Sequence, residues 1–231
     1  ILYKTNKVNH FKAEIVLDID LSARDWSASS LKVYLECKRK YYLKYLAKIR
    51  EHSISLKPKG YELGLIIHDT LEEFYKNEHD LTYNELIKIF NTKKANNSFL
   101  TFELEVYREK LKDFIELEIQ RFKNKRKVIS VEKRFSFVID GIKINGAIDR
   151  IDETSDAFEV IDYKTSNSLK VDTLKTYPKT KDFQLEFYYL AVKELYKGKD
   201  IKLFYYDLSK MKLLEEVVID EKLELLYKYL E

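Results

Sequence analysis

The chain has 231 residues, 45% hydrophobic and 35% charged, which suffices for one large domain or a domain with a helical extension and excludes a wholly disordered chain. Five glycines and two prolines exclude collagen-like or linker-rich architecture, and the abundance of Lys, Glu and Leu predicts long helices. With 42 basic and 39 acidic residues the net charge is +3, so bulk charge demands no nucleic-acid partner. Only local runs, Lys38-Arg39-Lys40 and Arg121 to Lys127, offer phosphate-facing patches, and such runs most often mark a solvated helix face. Cys37 stands alone, which excludes a disulfide framework or a four-thiolate metal site within the chain and favours a reducing, intracellular setting. No apolar run approaches the roughly 18 residues of a membrane span, and the N-terminus lacks a signal-peptide pattern. The first residue is Ile1 rather than Met, as expected of a fragment of a longer protein.

In chain order, Lys12 to Leu21 reads as an extended segment. Trp26-Ser27-Ala28-Ser29-Ser30 offers N-cap hydroxyls for a helix reaching about Ile49, with Leu31, Tyr34, Leu35, Tyr42 and Tyr45 at helical spacing. Pro58 and Gly60 break the chain. Helices follow over about Tyr61 to Lys76, Tyr83 to Lys93 and Ser98 to Lys125. Past Arg126 the texture turns to strand: Val128 to Val138, Ile142 to Ile151 and Phe158 to Lys164. A loop around Pro178 precedes a helix from about Lys181 to Tyr196. Ile201 to Leu208 and Leu213 to Val218 read as a last pair of strands, and residues 221 to 230 as a helix. The order predicts an α/β core with a helical region in front of it.

The chemistry is concentrated in Gly146-Ala147-Ile148-Asp149-Arg150 and Val160-Ile161-Asp162-Tyr163-Lys164. Alternation puts Asp162 and Lys164 on one face of their strand. A hairpin centred between Ser155 and Asp156 sets Asp149 opposite Asp162, with Cβ atoms roughly 5 Å apart. Two carboxylates that close need a cation or a proton between them, and a hard divalent cation with oxygen ligands is the natural occupant. A lysine on the same face can orient a water or offset charge developing on a phosphate. A surface hairpin accounts equally well for a bare D…DxK pattern. His68, on a helix among apolar residues, can complete a metal shell or sit as a satisfied, half-buried histidine. Glu72, one turn further on, is a weaker candidate. Gln184 and Tyr188, at i and i+4, share a helix face from which amide and hydroxyl can bond phosphate or base edges.

In their order and spacing these pieces, together with Ser27-Ala28-Ser29-Ser30-Leu31, Cys37 and Gly64, resemble the PD-(D/E)XK nuclease superfamily, in particular the RecB/AddB-type nuclease domain of bacterial helicase–nuclease complexes. The resemblance spans about residues 27 to 190. It implies an α/β, restriction-endonuclease-like core, a mixed central sheet flanked by helices, behind an N-terminal helical region. Residues 1–126 would form the N-terminal segment and helical region that contributes His68, and 127–231 the nuclease core, the two making one structural unit. Asp149, Asp162 and Lys164 look like the catalytic core. His68, Asp149, Asp162 and the Tyr163 carbonyl look like ligands of Mg²⁺ or Mn²⁺. Gln184, Tyr188 and Arg150 are implied substrate contacts, the Arg121 to Lys127 stretch is a further candidate, and Glu72 and Glu132 are secondary candidates. Many AddB-type domains hold an iron–sulfur cluster on four cysteines. Here Cys37 sits where the first would be and the other three are absent, so no cluster is expected in this chain and Cys37 reads as a buried small side chain. The implied activity is a metal-dependent deoxyribonuclease, an exonuclease processing DNA ends in recombinational repair in the bacterial cytoplasm. Its partners would be DNA, as single strand or duplex end, and a helicase domain or subunit, with no membrane. The alternatives are a non-catalytic DNA-binding or scaffolding module and a CRISPR-adaptation-type nuclease.

Overall fold

The structure is a computed structural model that describes residues 20–49, 61–77, 80–95, 97–123 and 125–230. The expected extended segment before Leu21 falls almost wholly outside these residues, as does the break at Pro58 and Gly60. The elements are β1 (Asp25–Trp26), α1 (Ala28–Glu36), α2 (Lys38–Tyr41), a π-helical turn (Tyr42–Leu46), α3 (Glu62–Lys76), α4 (Tyr83–Thr92) and α5 (Ser98–Phe122). Then come β2 (Lys127–Ile139), β3 (Ile142–Glu153), β4 (Ala157–Lys164), a 3₁₀ turn (Tyr177–Lys179), α6 (Gln184–Leu195), β5 (Asp200–Asp207), β6 (Lys212–Glu215) and α7 (Ile219–Leu230).

The strands form one mixed sheet in the order β1-β3-β4-β5-β6, with β2 paired along the other edge of β3. β2 and β3 are joined by Asp140-Gly141, both at positive φ (49° and 82°), the two-residue hairpin turn that fits the twist of antiparallel strands. β3 and β4 pair from Arg150↔Ile161 to Glu153↔Phe158, the register read from the hairpin's polar midpoint. β4 and β5 run parallel, with α6 as the crossover.

Alternation along the strands feeds two cores. Ile144, Ile148, Val160 and Leu203 pack with Leu185, Phe187 and Val192 of α6 and Leu226 of α7. Ile161, Tyr163 and Tyr206 pack on the opposite face with Ile67 and Leu71 of α3 and Leu111 and Phe114 of α5. Each such side chain contributes roughly 1.5–3 kcal/mol on burial, so the helices that precede the sheet in sequence are held on one of its faces.

Three local expectations are corrected. The helix expected to run to Ile49 breaks at Cys37, whose extended backbone (φ −163°, ψ 108°) ends α1 and caps α2, its Sγ accepting from the Lys40 N–H at 3.4 Å. Cys37 is therefore exposed rather than buried. The last strand stops at Glu215, because Glu216 turns inward to meet Lys222. No helix among the described residues is long and apolar enough to cross a membrane.

Candidate active site

The sheet opens where the chemistry lies. Two strands share one edge of β3: β1 pairs with Lys143 and Ile144, and β4 only from Arg150 onward. Between them residues 145–149 pair with β2 alone. Asp149 and Asp162 are the next step of the β3–β4 register, at the point where the strands part. The ladder is replaced there by a side chain: Asp149 Oδ2 accepts the Tyr163 N–H at 2.8 Å.

From α3, His68 reaches over this opening. Its Nε2 donates to the Tyr163 carbonyl at 3.0 Å and its Nδ1 lies 3.5 Å from Asp149 Oδ2. Glu132 of β2 completes the group. It stands between Val131, paired with Arg150, and Lys133, paired with Ile148, which places it across from Asp149. Its φ is +47°, a left-handed conformation that costs of order 1 kcal/mol or more in a non-glycine residue and is retained when the surroundings enforce it. Donor atoms of His68, Glu132 and Asp149 all lie within 4.8 Å of one another.

On the other side of Asp162, Lys164 Nζ is 2.6 Å from Asp162 Oδ2 and donates to Gln184 Oε1 at 2.7 Å. Gln184 donates to the Tyr188 hydroxyl at 2.8 Å, and that hydroxyl donates to Asp162 Oδ1 at 3.4 Å. The i, i+4 pair on α6 thus closes a ring with the DxK strand. Lys164, Gln184 and Tyr188 face a cleft of about 400 Å³ whose far wall is the start of α1, with Ser27, Ser29 and Lys32. Lys32 crosses to Asp182 at 2.7 Å. Gly146 forms part of the wall, and a Cβ there would come 2.6 Å from the Phe135 ring, so only glycine fits.

Charge is concentrated beyond what burial favours. Burial, and then the charge of Asp162, push the Asp149 carboxyl well above the usual carboxylate range. Burial, and then Glu72, push Glu132 up. Burial pulls His68 down against the pull of Asp162. Asp162 is 1% exposed, and its Oδ2 has no hydrogen bond of good geometry despite the nearby ammonium. Crowded carboxylates, an imidazole, a peptide carbonyl and an under-bonded buried oxygen form a donor set suited to a hard divalent cation. The residues fit such a group.

Arg150 does not reach this site. It is wholly buried on the opposite side of β3, where Nε and Nη2 grip Asp152 at 2.6 Å each and Nη1 donates to Glu118 at 2.7 Å. A substrate contact is excluded by that burial. The Arg121 to Lys127 run is corrected likewise: Arg121 pairs with Glu118, Asp152 and Glu159, and Arg126 with Glu159, all largely out of solvent. Glu72 lies at the margin, ion-paired with Lys76 one turn along α3. Sequence reasoning ranked Glu132 as secondary, although the structure sets it within the cluster. It did not single out Lys32 and Asp182, whose only signal is their proximity to the serine caps and to Gln184.

An opened mixed sheet with helices on both faces and acidic residues at the opening defines a nuclease-type α/β domain. The chain belongs to the PD-(D/E)XK nuclease superfamily, whose family model matches residues 25–229. Members of this superfamily use divalent metals. An ATP-dependent helicase/deoxyribonuclease subunit from Streptococcus agalactiae is 31% identical over 165 residues, covering 65% of this chain and 15% of that protein. The protein of the same name from Streptococcus uberis is 28% identical over 188 residues, covering 76% and 17%. The chain therefore spans less than a fifth of the length of the curated relatives it matches. A crystal structure of a Eubacterium rectale protein superposes with a TM-score of 0.48 at 13% identity, covering 88% of this chain and 79% of that one.

Proposed function

We propose that this chain is a metal-dependent DNA nuclease domain that hydrolyses phosphodiester bonds. The observation that carries the reading is the meeting of His68, Glu132 and Asp149 within 4.8 Å, beside Asp162 and Lys164, at the one point where β3 and β4 part. His68, Glu132, Asp149, Asp162 and the Tyr163 carbonyl would hold Mg²⁺ or Mn²⁺. The cation supplies Lewis-acid polarisation of a phosphoryl oxygen and eases deprotonation of water.

The chain's own residues do the rest. Lys164, which Asp162 keeps charged despite burial that works against it, carries a fixed positive charge to the cleft. There it orients the attacking water and offsets negative charge on the phosphate. Gln184 and Tyr188 hold that ammonium and the Asp162 carboxylate in place, because each spends its hydrogen bonds on the ring rather than on solvent. They are positioning residues first, and the face of Gln184 that lines the cleft is available to substrate. The names of the relatives support an exonuclease that trims DNA ends during recombinational repair in the bacterial cytoplasm, working within a longer protein or beside a helicase.

The test is degradation of linear single-stranded and duplex DNA at low salt, with Mg²⁺, Mn²⁺ or chelator, beside Lys164→Ala. Cleavage that needs metal and disappears in the variant is expected. Cleavage that survives the substitution, or folded protein that binds neither metal nor DNA, would overturn the reading.

A further inference from the structure

Next to the cleft lies a second surface that the reaction does not use. Between Leu31 and Ile49 stand six cations and one anion, Glu36, whereas the whole chain carries +3, so the remainder is net acidic. Lys38, Arg39, Lys40, Lys44 and Lys48 are all exposed. Lys40 approaches Glu36 at 3.8 Å with both side chains largely in solvent, and the other four have no ion pair among the described residues.

Aromatic rings alternate with these cations. Trp26 stacks on Tyr41 (5.0 Å, 12°) and Tyr41 on Tyr45 (5.2 Å, 28°), while Tyr34 meets Trp26 and Tyr41 edge-on. The π-helical turn makes this column possible. The Ala47 N–H donates to the Tyr42 carbonyl at 2.8 Å, and the widened turn brings residues four apart more nearly into line, which sets Tyr45 under Tyr41. Turns of this kind are rare and frequent at functional sites. The inner rings, Trp26 and Tyr41, are buried; the outer ones, Tyr34 and Tyr45, are part-exposed and carry Lys38 and Lys44 over their faces at 5.4 and 5.1 Å. Beside Tyr41 and Tyr45 opens a cavity of about 430 Å³ that Ser30 of α1 also lines. Ser27, Ser29 and Lys32 of the same helix line the catalytic cleft. The start of α1 is thus the wall common to both.

We propose that this surface is a docking platform for single-stranded DNA. Lys38, Arg39, Lys40 and Lys44 pair with phosphates, and Tyr34 and Tyr45 exchange their covering lysines for unstacked bases. The strand then passes over the start of α1 toward Lys164. Phosphate pairing and base–aromatic stacking are the two features that hold single strands without regard to sequence. A duplex keeps its base faces stacked and hidden, and so can use only the first. The proposal rests on the nuclease reading for the purpose of the bound strand, but not for the binding itself.

The experiment measures binding of fluorescein-labelled oligo-dT of about 20 nucleotides by fluorescence anisotropy in EDTA, where cleavage plays no part. Replacing the exposed trio, Lys38→Ala with Arg39→Ala and Lys40→Ala, should weaken binding about tenfold and lower the slope of log K against log salt by about 2. Tyr45→Leu should weaken binding about tenfold and remove the stacking-dependent quench of a 2-aminopurine base. In cleavage assays the trio variant should raise KM for the long oligonucleotide at unchanged kcat, and should leave KM for one of about 4 nucleotides as it was. Unchanged affinity and salt slope in a folded trio variant would overturn the platform, whatever Tyr45→Leu does to folding. So would tighter binding of duplex than of single strand. Because the binding arm contains no metal, loss of nuclease activity in the parent chain would sink the catalytic reading and leave this one standing.

Discussion

Arg150→Met separates a structural arginine from a substrate contact. The guanidinium makes two bonds to Asp152, one to Glu118 and one to the Tyr163 hydroxyl at 3.2 Å, and stacks over the Tyr75 ring at 4.1 Å. Removing one partner of a buried ion pair costs about 3–5 kcal/mol, because the other charge stays behind in a dry site. Glu118 keeps Arg121 at 2.7 Å and Asp152 keeps it at 3.0 Å, which pulls the figure to the low end, while the lost cation–π contact adds roughly 2 kcal/mol. A net loss of about 4 kcal/mol lowers Tm by about 8–16 °C in a domain of this size. Circular-dichroism melts at neutral pH read it directly, with exposed Arg134→Met as a control expected to stay within about 2 °C. The pH dependence has a definite sign. Arg150 outweighs burial to hold Glu118 below the usual carboxylate range, and Arg126 does the same for Glu159. Carboxylates with depressed folded values stabilise the fold above the unfolded value, and that stability is lost as pH falls through the folded one. Acid unfolding of the variant should therefore begin at higher pH. A variant that melts with the parent but has lost DNA affinity would refute the network and restore Arg150 to the substrate.

Two further outcomes test the rest of the molecule. Glu132→Gly should raise Tm slightly without metal, since glycine accepts φ +47° and one crowded carboxylate is gone, a relief of about 1 kcal/mol. The same variant should lose most of the Tm gain that Mn²⁺ gives the parent, and an undiminished gain would remove Glu132 from the ligand set. Glu186 of α6 faces Lys222 at 2.9 Å in the core, and burial, offset in part by Lys222, pushes its carboxyl up to about 7. An acid with a raised folded value contributes stability below its unfolded value that is lost as pH rises to the folded one, here a few kcal/mol between about pH 4.5 and 7. Glu186→Gln should flatten that decline, and identical Tm-against-pH curves would show that Glu186 does not titrate in this range.

What could be read from the sequence was whatever local pattern determines. The β3–β4 register followed from a polar midpoint, and α3, α4 and α5 from apolar spacing and from caps such as Thr82 and Asn97. What could not be read depended on contacts distant in sequence. Glu132 enters the cluster only because β2 pairs with β3 through a hairpin and then adopts a left-handed residue, and no residue type signals that choice at a glutamate. Arg121 and Arg126 resemble a solvent-facing basic run until Asp152 and Glu159, about 30 residues further on, come to lie against them. Alternation distinguishes Arg150 from Asp149 by face, but only the position of α5 reveals which face is closed.

The two sides of β3 then make electrostatic sense together. On the α5 side three arginines, 121, 126 and 150, meet three carboxylates, Glu118, Asp152 and Glu159, a balanced set whose charges are spent on one another. On the other side Glu132, Asp149 and Asp162 face a single ammonium, Lys164. Arg150 is the immediate neighbour of Asp149 in sequence, and an unpaired guanidinium there would draw Asp149 down and weaken its hold on a cation. Engaged by Asp152 and Glu118 in a closed network, it leaves the negative field at the opening intact. The buried network thus holds the strand in place without neutralising the site that the strand carries. For that reason removal of Asp152, which would free Arg150 beside Asp149, should lower metal affinity as well as stability.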